Sequence, residues 1–110
     1  MQRDHPFSFL RVTGLGARLN VTTSSAAYTL PVDNNGNSPR FHRLITEPTS
    51  SGSGAFCYVN IGGTSVTAQA GNICVTSNEQ VILHTRGMTN IAVFHPSTTA
   101  NVSIVPLEQA

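Results

Sequence analysis

Apolar and polar residues alternate along most of this chain with the period of a β-strand. In residues 55–61 (AFCYVNI), Cys57, Val59 and Ile61 fall on one face and Phe56, Tyr58 and Asn60 on the other, as expected of a half-buried strand. Gly62-Gly63-Thr64 breaks the run and residues 65–68 (SVTA) resume it, which predicts a tight hairpin whose glycines supply positive φ. Further short runs at 73–76, 80–85, 91–94 and 102–105 are separated by Ser77-Asn78, Arg86-Gly87 and the stretch 96–99, all turn-forming. Upstream, the candidate strands are 18–22, 26–30 and 41–46. Between them lie the loops 31–39 (PVDNNGNSP) and 47–54 (EPTSSGSG), too rich in turn residues for a helix.

Short strands spaced about ten residues apart, with no useful helical period, predict an all-β fold, a small single-domain β-sandwich that is jelly-roll-like. Strand order is not fixed by the pattern, so an immunoglobulin-like Greek key and an open barrel stay open. Residues 1–16 read as an extended N-terminal arm, with a strand near 8–12 and Gly14-Leu15-Gly16 as a flexible joint; residues 17–110 form the sandwich. The expected core is Leu19, Val21, Leu44, Cys57, Val59, Ile61, Val66, Ile82, Ile91, Val93, Val102 and Ile104. A chain of 110 residues has room for one such core.

Composition changes the picture from a fold to a way of life. Only 10% of residues are charged, there is no lysine, and 33 are Ser, Thr or Asn; a typical soluble domain is about one quarter charged. Protein interfaces are likewise poor in Lys, Asp and Glu while keeping Arg, and all six cations here are Arg. A sheet protein must also guard its edge strands, most often with lysine. Without it, the edges depend on proline, bulges and polar tips, or on a neighbouring subunit, and the arm is the obvious strand to add to a neighbour's sheet. The scattered arginines and net charge of +1 make nucleic acid an unexpected partner. No membrane span or secretory leader is expected.

Candidate chemistry is sparse. His5, His42, His84 and His95 are the neutral-pH acid–base groups, but Asp4 and Asp33 sit in the arm and a turn-rich loop, so a catalytic triad is not expected. A metal would need His42, His84 and His95 to converge, without the closely spaced His and Glu of cupin-like jelly rolls. Glu47, Glu79 and Glu108 adjoin loops or the terminus and do not suggest a glycosidase pair. Gly14-Leu15-Gly16 lacks the rest of a dinucleotide fingerprint. Cys57 and Cys74 read as two buried thiols. The reading is a non-enzyme with no cofactor and no metal.

The segment 54–108 resembles small virion proteins of tailed bacteriophages. The resemblance is carried by the strand Phe56-Cys57-Tyr58-Val59-Asn60-Ile61 ending on Gly62, the Ser65–Ala68 strand, the run from Val81 to Arg86 closing on Gly87, Thr89-Asn90-Ile91-Ala92-Val93, and a last strand before Glu108. It implies a capsid decoration or cement protein on the virion surface, assembled in the host cytoplasm. Its partners would be the major capsid protein and itself, as a homodimer or homotrimer. Expected contacts are Phe7, Phe9, Leu10 and Arg11 of the arm, Arg40 and Phe41, and the loops 31–40 and 47–54. The alternatives are a host- or carbohydrate-binding module using Phe56 and Tyr58, a tail or head-to-tail component, and, more remotely, a small cupin-type enzyme.

Overall fold

The nine strands pair as nested hairpins, the first with the last and so on inward. In the computed structural model, which describes residues 10–48 and 55–109, these are β1 (Leu10–Val12), β2 (Ala17–Val21), β3 (Ala26–Thr29), β4 (Phe41–Thr46), β5 (Phe56–Gly62), β6 (Ile73–Thr76), β7 (Val81–His84), β8 (Asn90–Phe94) and β9 (Ala100–Gln109). β1 and β2 pair with β9, β3 with β8, β4 with β7 and β5 with β6, all antiparallel. The folded-over ribbon closes through β4–β9 and β5–β8. The result is two packed sheets: sheet A, with β1 and β2 along one side of β9 and then β4 and β7, and sheet B, ordered β3-β8-β5-β6. This nested order is that of a jelly roll, so the Greek-key and open-barrel alternatives fall away. Residues 1–9 of the expected arm, with Phe7 and Phe9, and residues 49–54 lie outside the described residues.

Alternation sets the core. Leu19, Val21, Leu44, Ala100, Val102 and Ile104 from sheet A meet Cys57, Val59, Val75, Ile91 and Val93 from sheet B. Two expected members are absent. Ile82 points away from the core, because β7 pairs with β4 in the register Arg43↔Ile82 and turns Val81 and Leu83 inward instead. Three consecutive apolar residues carry no phase of their own, so the partner strand decides. Val66 lies in the β5–β6 connection, against Gly62.

That connection is the clearest departure from the pattern. Residues 65–68 form no strand, and the described glycines at positive φ are Gly36, Gly71 and Gly87, not Gly62 or Gly63. Side chains satisfy this backbone in place of a ladder: Asn60 Nδ2 donates to the Thr67 carbonyl (3.0 Å) and the Ala68 N–H donates to Ser25 Oγ (2.8 Å). Asn60 is on β5 and Ser25 precedes β3, so the segment crosses the intervening β8 on the outside of sheet B. Ala92, outward on β8 opposite Asn60, is fully buried beneath it.

β1 and β2 are one edge strand split by a bulge. Val12 pairs with Leu107 and Ala17 with Ile104, so Thr13–Gly16 face only Val105 and Pro106. Gly14-Leu15-Gly16 is therefore not the expected loose joint. A Cβ on Gly14 would lie 2.5 Å from the Val32 carbonyl oxygen, and one on Gly16 would lie 2.6 Å from that of Ile104; only glycine fits where two backbones meet. The Asn34 N–H reaches the Thr13 carbonyl (2.7 Å) and ties the bulge to the β3–β4 loop. That loop is itself held by Asp33, whose Oδ1 accepts from Asn35 N (2.9 Å) and Asn37 N (2.8 Å).

The edges thus answer the missing lysines in part. β3, β6 and β7 carry no ionised side chain and are four residues each; brevity and the bulge are recognised edge guards. At one corner Tyr28 Oη donates to the Asn20 carbonyl (2.8 Å), so a side chain of sheet B occupies a backbone acceptor of sheet A's edge.

Candidate docking surface

The outer face of sheet A is apolar where a sandwich exposed to water is normally polar. Antiparallel partners share a face, so the register gives its rows directly. Val12, Leu107, Phe41 and His84 form one row, and Val105, Arg43 and Ile82 the next. Ser103 and Ile45 follow, with Arg18 on the β2 side. β4 is inverted in chemistry: His42 and Thr46 point into the sandwich beside Leu44, while Phe41 and Ile45 point out. Among the described residues no connecting segment is hydrogen-bonded across this face, unlike the outer face of sheet B.

Charge on the face is confined and uneven. Arg18 Nη2 meets Glu47 Oε1 at 2.9 Å on the rim, and its Nε donates to the same oxygen. On the other side of β9, Arg40 Nε lies 3.4 Å from Glu108 Oε1 and the Arg40 N–H donates to Glu108 Oε2 (3.0 Å). Both pairs are substantially exposed and contribute little to stability. Arg43, half-buried at the centre, forms no ion pair or hydrogen bond with any described residue.

The face runs into one end of the sandwich, where exposed apolar side chains collect. Val12 (58% exposed), Leu15 (88%), Val32 and Met88 lie at the bulge and at the β3–β4 and β7–β8 connections; of the large exposed apolar residues described, Ile73 alone lies elsewhere. Val32 and Met88 line a small apolar cleft of about 140 Å³, and a more polar groove of about 370 Å³ separates Arg11, Val12 and Thr13 from residues 33–35. The expected contact residues that are described converge here on the end of β9. Leu10 pairs with Gln109, Arg11 with Glu108 and Phe41 with Leu107, while Arg40 binds Glu108. Of the loop 47–54, only Glu47 and Pro48 are described.

Side chains that could have carried chemistry are placed apart and used locally. His84 is exposed, edge-on to Phe41 at 5.2 Å. His95, at the opposite end, is buried, and its Nδ1 accepts from Ser97 N and Thr98 N. The described residues contain no group of three potential metal ligands. Cys57 is buried, whereas Cys74, paired opposite Tyr58 on the outside of sheet B, is exposed, which corrects the expectation of two buried thiols. Burial pushes the Cys57 thiol up, against a smaller opposing effect of its Thr46 hydrogen bond. Phe56 and Tyr58 also face outward there, but edge-to-face at 83°, so the two rings do not form the coplanar platform a sugar would stack on. Among the described residues no helix is long and apolar enough to cross a membrane.

His42 is a structural pin between β4, the β3–β4 loop and the end of β7. Its Nε2 faces the Pro31 carbonyl (2.8 Å), which can only accept, so Nε2 carries the proton and Nδ1 accepts from the Thr85 hydroxyl (2.5 Å). Burial holds its pKa below the ordinary 6.5, partly opposed by the Pro31 bond. A depressed folded-state value means that the stabilising contribution is present above pH 6.5 and is lost as pH falls below it towards the folded value. The thermal midpoint should therefore be flat above neutrality and fall on acidification. His42→Asn should start lower and lose the part of the slope that lies between those two values, which a melting series from pH 5 to 8 would check.

The apolar outer face is what reading the sequence missed. Its trace was present: Phe41 and Ile45 flank Leu44 in opposite phase, Val105 and Leu107 flank Pro106, and residues 81–83 are apolar in succession. Strands covered on both sides read as such near-continuous runs. Comparison with known proteins finds no matching family model, no matching curated protein and no matching solved structure.

Proposed function

We propose that the chain is a structural virion protein of the capsid decoration or cement type. It binds the outer surface of a phage head at junctions between major capsid subunits and, as a homodimer or homotrimer, ties neighbouring subunits together. The observation that carries this reading is the outer face of sheet A, apolar on three adjoining strands in a chain with only eleven ionised side chains. A free protein so lightly charged has little to keep copies and partners apart, and a sheet face on which Phe41, Ile45, Ile82 and Val105 stay half-exposed around a buried Leu107, running on to exposed Val12, supports an interaction site there. The strand-pattern resemblance to small tailed-phage virion proteins supports the choice of partner.

The work is mechanical. An interface of about 1,600 Å² is the standard size for a specific complex, and linkage of several such contacts through an oligomer raises occupancy without new chemistry. Copy number in purified particles tests the reading. On the order of hundreds per particle, one at each repeated capsid junction, is the expected result. On the order of a dozen, the count of symmetric vertex or tail positions, would move the protein to the tail or the head-to-tail junction. Absence from particles would overturn the virion assignment.

A further inference from the structure

We propose that Arg43 is a recognition point for a carboxylate on the protein that covers sheet A, so that the docking partner is an apolar surface with one acidic side chain set into it. The inference rests on the reading that this face docks, and adds what the partner must contribute. Arg43 is hemmed by Val105 on β9, Ile82 on β7, and Phe41 and Ile45 along its own strand. Half-buried already, it would lose its remaining water under any apolar surface. An unpaired ion in that position costs several kcal/mol, enough to cancel much of the gain from apolar burial. The partner must therefore supply an acceptor, and a carboxylate matches the guanidinium fork with two parallel hydrogen bonds.

A second copy of this chain docked through the same face is a poor source of it. Among the described residues the face offers Arg43, His84 and Arg18, and the acid described there, Glu47, is engaged by Arg18. Glu108 lies on the opposite side of β9 from Leu107 and binds Arg40. Face-to-face pairing would set Arg43 against Arg43. Charge complementarity points to a different protein, and on the proposed function that protein is the shell subunit.

Three variants of the full chain separate the possibilities: Arg43→Leu, Arg43→Glu and Arg43→Lys, each checked for an unchanged thermal midpoint. With purified shells as the probe, Arg43→Leu should weaken binding about tenfold or more because the partner carboxylate is left buried and unpaired, and Arg43→Glu should weaken it further. Arg43→Lys should retain part of the affinity. Binding of Arg43→Leu equal to or tighter than wild type would overturn the inference while leaving shell docking intact, since apolar area alone would then suffice.

If the wild-type protein ignores shells, a photo-crosslinking residue at Ile82, with Ala27 on sheet B as control, identifies the partner inside producing cells. The inference then stands if the crosslinked surface carries an Asp or Glu whose replacement by Arg restores binding to Arg43→Glu. It fails if Ile82 crosslinks to no protein, only to another copy of this chain, or to a surface where that charge exchange restores nothing.

Discussion

Alanine at Leu44 should remove about 2 to 5 kcal/mol of stability, the range seen when a buried leucine leaves a cavity that its neighbours only partly fill. Leu44 is fully buried in the middle of β4, paired with Ile104 on one side and Val81 on the other. All three point at sheet B, so the lost methyls cannot be replaced by water or by a small shift of one strand. A domain of this size is stable by only about 5 to 15 kcal/mol, and the variant should unfold at markedly lower urea with an unchanged dependence on denaturant. A shift under about 0.5 kcal/mol, the range of an ordinary surface change, would mean that the two sheets do not pack through β4.

Glutamate at Ile45, the next residue, should do the reverse. Ile45 is half-buried on the outer face of sheet A opposite Ser103, so the fold should lose no more than about 1 kcal/mol, the span of strand preferences at such positions. Docking should fall about a hundredfold or more, because a carboxylate would be buried against an apolar partner surface at a cost of several kcal/mol. The new acid would also sit two residues from Arg43 on the same face, where it would compete for the guanidinium. Equilibrium binding to purified shells, with the urea midpoint as control, reads both effects. The two neighbours thus separate folding from docking on one strand: Leu44→Ala lowers stability and, while folded, keeps the outer face intact, whereas Ile45→Glu lowers docking and leaves stability nearly unchanged. Full binding by Ile45→Glu would remove this face from the interaction.

Much of the fold was legible in the chain because alternation reports burial on one side. The strands around Leu19, Leu44, Val59 and Ile91 fall within a residue or two of their expected bounds, the strand around Ile104 runs four residues beyond its expected end at 105, and all five residues enter the core. Alternation fails where both sides of a strand are apolar or where side chains replace a ladder. In β7 the run Val81-Ile82-Leu83 has no phase until β4 fixes it, which is why Ile82 was assigned to the core and faces outward. In residues 65–68 the pattern is that of a strand, but Asn60 and Ser25 bind the backbone and make it a strap over Ala92. Gly14 and Gly16 looked like freedom and serve as clearance, since the backbones of Val32 and Ile104 that crowd them are distant in sequence.

The candidate surface was less legible than the fold for the same reason. Leu10, Arg11, Arg40 and Phe41 were singled out from loops and termini, and the register brings them to one end of β9. The larger apolar face around Arg43 needs four strands in register before it exists. Scarcity of charge and the apolar runs at 81–83 and 104–107 are its traces in the sequence, and the structure gives that scarcity a location: sheet A, whose outer side carries apolar residues from β1, β4, β7 and β9.

A cryomicroscopy reconstruction of the particle, at a resolution that orients the two sheets, tests the central claim most directly. Density for the sandwich should set the outer face of sheet A against the shell, with an acidic side chain of the capsid subunit opposite Arg43. Sheet A facing solvent, with the shell contacting sheet B or the end of the sandwich near His95, would contradict it.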